Sequence, residues 1–177
     1  APVASLQLAQ GQNRDWWRPG RSARLQLGPK NVMVEFGELH PRVLKAMDVK
    51  GPAVAFTVHV ANVPLPKAKS PTRPALQASD LQAVDRDFAF VVDERVEAAA
   101  IVNAAQGADK ALIERVTVFD EFRGDRAAAQ MGEGRKSVAI TARLQPRDRT
   151  LTEAEIEAVA ARIVEKVAKA TGGTLRG

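Results

Sequence analysis

The chain has 177 residues, 45% of them hydrophobic, no cysteine and only two histidines, His40 and His59. That composition fits a packed protein and excludes a disulfide framework, a thiolate zinc site and a histidine metal cluster. No apolar run approaches the roughly 20 residues that span a bilayer, and no basic stretch with an apolar core marks a signal peptide, so a cytoplasmic setting is expected. The formal net charge of +5 is unevenly distributed: residues 1–79 carry 11 Lys and Arg against 4 Asp and Glu, whereas residues 80–177 carry 15 against 17. Within the second part, Arg115 to Arg149 holds eight basic and five acidic side chains. Charge alone therefore does not separate a nucleic-acid surface from ordinary solvated faces.

The chain opens on Ala1 without a methionine and is expected to be a piece of a longer protein. Ser22 to Leu27 alternates Ala23, Leu25 and Leu27 with polar residues, the period-two pattern of a half-buried strand. Val32 to Leu39 and Val54 to Val60 read as two further strands, with a helix of about two turns from Pro41 to Met47 between them. Three strands and one short helix make a meagre core, so residues 1–60 read as a truncated antiparallel β portion that needs a further layer. Pro64, Pro66, Pro71 and Pro74 break any period from 61 to 79, which reads as a linker.

Beyond the linker the pattern changes. Arg86 to Val92 is predicted as a strand with Phe88, Phe90 and Val92 on one face, followed by an alanine-rich helix from about Glu97 to Gln106. Ile113 to Phe122 is a second strand, Arg123 to Arg135 a loop with three glycines, and Ser137 to Leu144 a third strand. Thr152 and Glu155 have the capping-box spacing at the start of a helix whose apolar stripe runs through Ile156, Val159, Ile163 and Val167. Gly172 and Gly173 end it before a short last strand. The order βαββαβ implies an α+β ferredoxin-like split sandwich with a four-stranded antiparallel sheet over residues 80–177. Right-handed crossovers place both helices on one face. The other face then carries Ala89, Val91, Ser137, Ala139, Thr141 and Arg143. On the second strand the parity stays open, because Val116 and Val118 suggest one side and Phe119 the other. If Phe119 points to the helices, Asp120 and Phe122 point outward beside Ser137.

Four blocks in order are specific together: Val118-Phe119-Asp120-Glu121-Phe122-Arg123-Gly124, Gly134-Arg135-Lys136-Ser137-Val138-Ala139, the run from Arg149 to Ile156, and Leu175-Arg176. With Arg86-Asp87 on the first strand, they resemble the ferredoxin-fold anticodon-binding domain of bacterial phenylalanyl-tRNA synthetase beta subunits. Trp17 to Ala23 and Gly37 to Pro41 resemble the end of the catalytic-like module that precedes it. The resemblance implies an α2β2 ligase using ATP and Mg²⁺, with the alpha subunit doing the chemistry and this part binding tRNA(Phe) without a cofactor. By the same carry-over, Asp120 contacts the first anticodon base, Phe122 stacks on it, and Ser137 and Ala89 line the floor. Phe122 replaces the family's usual tyrosine, which keeps the ring face and loses a hydroxyl. Sequence-specific RNA readers generally take unpaired bases onto an aromatic of an open sheet, with polar edges nearby. Arg123, Arg135, Lys136 and Arg143 are candidate phosphate contacts, which position RNA without reading it.

Plainer uses compete. Phe122 suits a buried hairpin residue, Asp120 suits a turn cap ahead of Arg123-Gly124, and His40 a structural polar role. Lys136-Ser137 fails as a phosphate loop, since the glycine required five positions before Arg135 is Gln130. The same topology also serves regulatory amino-acid-binding domains and protein-interaction modules. The former are expected to have a glycine after the first strand, where this chain has Asp93-Glu94-Arg95.

Overall fold

The computed structural model describes residues 6–11, 14–64, 75 and 78–176. The chain divides into two units, Ala1–Pro74 and Ala75–Gly177, each built on its own four-stranded sheet.

In the first unit, β1 (Gln7–Gln10), β2 (Trp17–Gln26), β3 (Val32–Leu39) and β4 (Val54–Val58) form an antiparallel meander in chain order. The strand expected at 22–27 extends back to Trp17 through a register shift between Trp17 and Ser22, and β1 was not anticipated. The fourth strand stops at Val58, because Val60–Asn62 is a 3-10 turn pinned by the Asn62 amide donating to the Val32 carbonyl at 2.7 Å. Helix α1 (Pro41–Ala46) starts at His40, whose Nδ1 accepts from the Arg42 N–H at 3.1 Å. That is a capping role, set by the proline at the first helical position. Trp17, Met33 and Leu44 are buried. Glu35 is buried as well, with Arg14 at 3.3 Å and His59 at 3.7 Å. The opposite register rows run Leu8–Leu25–Val34–Val58 and Ala23–Phe36–Phe56. Their outer members on β4 face water, Val58 at 44% and Phe56 at 73% exposure, as does Val54 on the same strand at 83%. Of the expected linker, residues 65–74 and 76–77 lie outside the described residues. At its far end the Ser79 hydroxyl donates to the Pro146 carbonyl at 3.2 Å.

The second unit comprises β5 (Val84–Asp93), α2 (Ala98–Gln106), β6 (Ile113–Phe122), α3 (Asp125–Met131), β7 (Arg135–Leu144), α4 (Glu153–Thr171) and β8 (Thr174–Leu175). The sheet order is β6-β7-β5-β8, all antiparallel, which is the ferredoxin-like arrangement. Helices α2 and α4 pack on each other and cover one face. Beneath them lie Phe88, Phe90, Val92, Val138, Ile140, Ala142 and Leu144 from the strands and Ile101, Ile156, Val159, Ile163 and Val167 from the helices. A stripe that apolar drives the helix onto the sheet; truncating a side chain such as Ile163 in a core of this kind costs about 2–5 kcal/mol. Gly172 ends α4 in the left-handed region at φ 67. Gly173 follows where a Cβ would sit 2.7 Å from the buried Val92 Cγ1, so no other residue fits without moving the core.

One element differs from expectation. The glycine-rich loop between the second and third strands contains α3, two turns flanked by Gly124 (φ 83) and Gly132 (φ 92) with Ala127 fully buried. The glycines supply the chain reversals, and the alanines between them are strong helix formers.

Candidate nucleic-acid interface

Directly opposite residues in an antiparallel pair share a face, so the register defines the side of the second sheet that α2 and α4 leave uncovered. Four rows cross it from β5 through β7 to β6: Val91–Ser137–Phe122, Ala89–Ala139–Asp120, Asp87–Thr141–Thr117 and Asp85–Arg143–Arg115. Small side chains in the middle of the second row let a flat ring approach the backbone.

The parity question is answered by a bulge. Val118 pairs with Ile140 and Asp120 with Ala139, leaving Phe119 as the extra residue. Phe119 does not point to the helices; it is 58% exposed. Inserting one residue reverses the alternation. Val116 and Val118 therefore face the core, while Asp120 and Phe122 emerge on the uncovered side beside Ala139 and Ser137. Without the bulge both would point under the helices.

The uncovered side is not bare throughout. The Arg176 N–H donates to the Ala89 carbonyl at 2.7 Å, which continues the β8 register and puts the Arg176 side chain on Ala89's face. From there its guanidinium donates to Gln130 Oε1 of α3 at 3.2 Å. As α3 also packs against β7, it roofs the Ser137 end of the face. Ser137 is accordingly 5% exposed and Phe122 half-buried, whereas Asp120, Asp87 and Thr117 are exposed. The accessible surface begins at Phe122 and runs toward Arg115.

The four basic candidates separate. Arg123 is exposed and makes no ion pair or hydrogen bond within the described residues. Arg135 is exposed opposite Asp93; the Asp93 carboxyl is held at about 2, chiefly by its bonds from Arg95 and to a lesser degree by the field of Arg135. Arg143 is tied to Glu114 at 3.1 Å and to Asp85 at 3.4 Å. Lys136 belongs to the helix side, opposite Val92, where it is 7% exposed and paired with Glu121 at 3.2 Å. Its ammonium is committed to a carboxylate and turned from the uncovered face, so the expected phosphate contact is corrected for Lys136. Sequence reading missed Arg115 and Arg126, both exposed and without a partner among the described residues. For Arg115 the signal lay in the pairing with Arg143, which periodicity alone cannot supply.

Comparison with known proteins agrees with the fold. Residues 79–176 match the family described as "Ferredoxin-fold anticodon binding domain", and residues 2–60 match "Phenylalanyl tRNA synthetase beta chain CLM domain". Among curated relatives, the phenylalanine-tRNA ligase beta subunits of Cereibacter sphaeroides and Ruegeria pomeroyi are 72% and 67% identical over 92% of this chain. That of Rhodopseudomonas palustris is 53% identical over the whole of this chain. The chain spans about a fifth of the length of these relatives, 20% of the first two and 22% of the third. With the first match extending over more than half of its residues, on the topology that its name requires, the chain belongs to the ferredoxin-fold anticodon-binding domain family.

Proposed function

We propose that this chain is the tRNA-reading end of a phenylalanine-tRNA ligase beta subunit. In this reading residues 80–177 hold the anticodon of tRNA(Phe), residues 1–60 close the catalytic-like module, residues 61–79 join them, and no chemistry occurs here. The complete enzyme is an α2β2 assembly in the cytoplasm whose alpha subunit uses ATP and Mg²⁺. Among the described residues no three His, Cys, Asp or Glu lie together in a group that could hold a metal ion.

The observation that carries the reading is the pair of rows Val91–Ser137–Phe122 and Ala89–Ala139–Asp120 on the face that α2 and α4 leave uncovered. Phe122 offers its ring to a base at the edge of the α3 roof, where stacking contributes roughly 1–3 kcal/mol per base. Asp120, exposed and an acceptor only, sits one row away. It accepts the two donors on the Watson–Crick edge of guanine and rejects bases that present a carbonyl there. Ala89 and Ala139 keep the floor flat between them. Arg123 and Arg135 are placed to hold phosphates, which orients the loop without adding specificity. Phe122→Ala is expected to weaken binding of a GAA stem-loop by about 1–3 kcal/mol, measured by calorimetric titration. Equal affinity in variant and parent would reject the stacking role.

A further inference from the structure

The third row of the uncovered face has no part in the site described above, yet it is an exposed polar row directly beside it. Thr117, Thr141 and Asp87 lie in line across β6, β7 and β5. Two residues along a strand separate this row from Ala89–Ala139–Asp120, a step of about 6.8 Å. Resting on the anticodon reading, we infer that Asp87, positioned by Thr141, reads a second unpaired base and selects one that carries an exocyclic amino group.

Three observations support it. First, Asp87 is an exposed carboxylate without a cation partner within the described residues. Its neighbours on the same strand are neutralised, Asp85 by Arg143 at 3.4 Å and Asp93 by Arg95 at 3.0 Å. An unpaired negative charge facing RNA repels phosphates, so it weakens binding unless base donors meet it. Secondly, the Thr141 hydroxyl donates to Asp87 Oδ1 at 2.6 Å. That bond uses the only hydroxyl hydrogen of Thr141 and fixes the carboxylate plane, leaving Oδ2 and the Thr141 hydroxyl lone pairs as acceptors. Asp87 Oδ2 and the Thr141 oxygen therefore present acceptors where adenine N6 or cytosine N4 supplies donors, and they oppose the O4 carbonyl of uracil. Thirdly, the next row ends in Arg115, exposed and unpartnered, which gives the adjoining phosphate a cation. No aromatic lies in the Asp87 row, so it contributes discrimination more than affinity. In a GAA loop the base concerned is the middle adenine, next to the guanine read at Asp120.

The test compares the chain with its Asp87→Asn variant on four stem-loops, GAA, GCA, GUA and AAA, by fluorescence titration. The parent is expected to bind GAA and GCA about ten-fold more tightly than GUA. Asp87→Asn, whose amide also donates, should level or reverse that preference while keeping the preference for guanine at the first position. Thr141→Val, which frees the carboxylate to rotate, should reduce the same ratio in part. The retained guanine preference reports an intact sheet. An unchanged ratio of GAA to GUA in Asp87→Asn, with guanine still preferred, overturns this inference alone. Failure of the parent to bind any of the loops overturns it together with the anticodon reading.

Discussion

Thr152 and Glu155 close the start of α4 on each other. The Glu155 N–H donates to the Thr152 hydroxyl at 3.4 Å, and the Thr152 N–H donates to Glu155 Oε2 at 2.9 Å. Arg149 adds a forked contact, and that guanidinium, followed by the Thr152 backbone N–H, holds the Glu155 carboxyl at about 2 against an ordinary 4.5. A carboxyl depressed by folding stabilises above its unfolded value, and the contribution is lost as pH falls through the folded one. The Glu155 contribution is therefore full above about pH 4.5 and fades toward about pH 2. Urea titrations of the parent and Glu155→Gln should differ at neutral pH and converge as pH 2 is approached. A gap that widens on acidification would contradict the assignment. Being exposed, the pair should also weaken with salt. Thr152→Ala removes a cap worth about 0.5–2 kcal/mol, read from the same titration.

Strand β6 is where one residue decides what the sheet presents. Phe119 itself is exposed, so Phe119→Ala is expected to shift stability by no more than about 0.5 kcal/mol. Deleting Phe119 is a different change. It restores strict alternation, so one half of the strand must invert, sending either Asp120 toward the core or Val116 and Val118 to water. The deletion should cost several kcal/mol, as burying an unpaired carboxylate does, and abolish stem-loop binding. Equal effects of substitution and deletion would sink the bulge argument. The same strand marks the limit of what the sequence made legible. The βαββαβ order, the core set on β5 and β7 and the stripe of α4 follow from periods of 2 and 3.6, because those elements alternate without interruption. The facing of Asp120 and Phe122 does not, since a bulge breaks the period at the position where it matters. Helix α3 hid for another reason: its two flanking glycines dominate a local reading, although Ala127, Ala128 and Ala129 between them carried the helical signal. Lys136 misled because polarity suggests an outward side chain, while pairing with Glu121 allows it on the helix side.

At the scale of the whole molecule, the net charge of +5 is made of +7 in residues 1–79 and −2 in residues 80–177, the part proposed to face RNA. RNA binding of the proposed kind, through a few exposed arginines, Arg115, Arg123, Arg126 and Arg135, predicts a shallow salt response. At about 0.7 per phosphate on single strands, a plot of log affinity against log salt should slope at about −2 to −3. A slope steeper than about −5 would mean that backbone charge, not base reading, dominates. The first sheet leads to a different kind of behaviour. Val54, Phe56 and Val58 stand in a line open to solvent, and water gains nothing by wetting them. A stock of the isolated chain should therefore scatter light increasingly as it is concentrated, and mild detergent should clear it without altering the melting of the residues around Ile163.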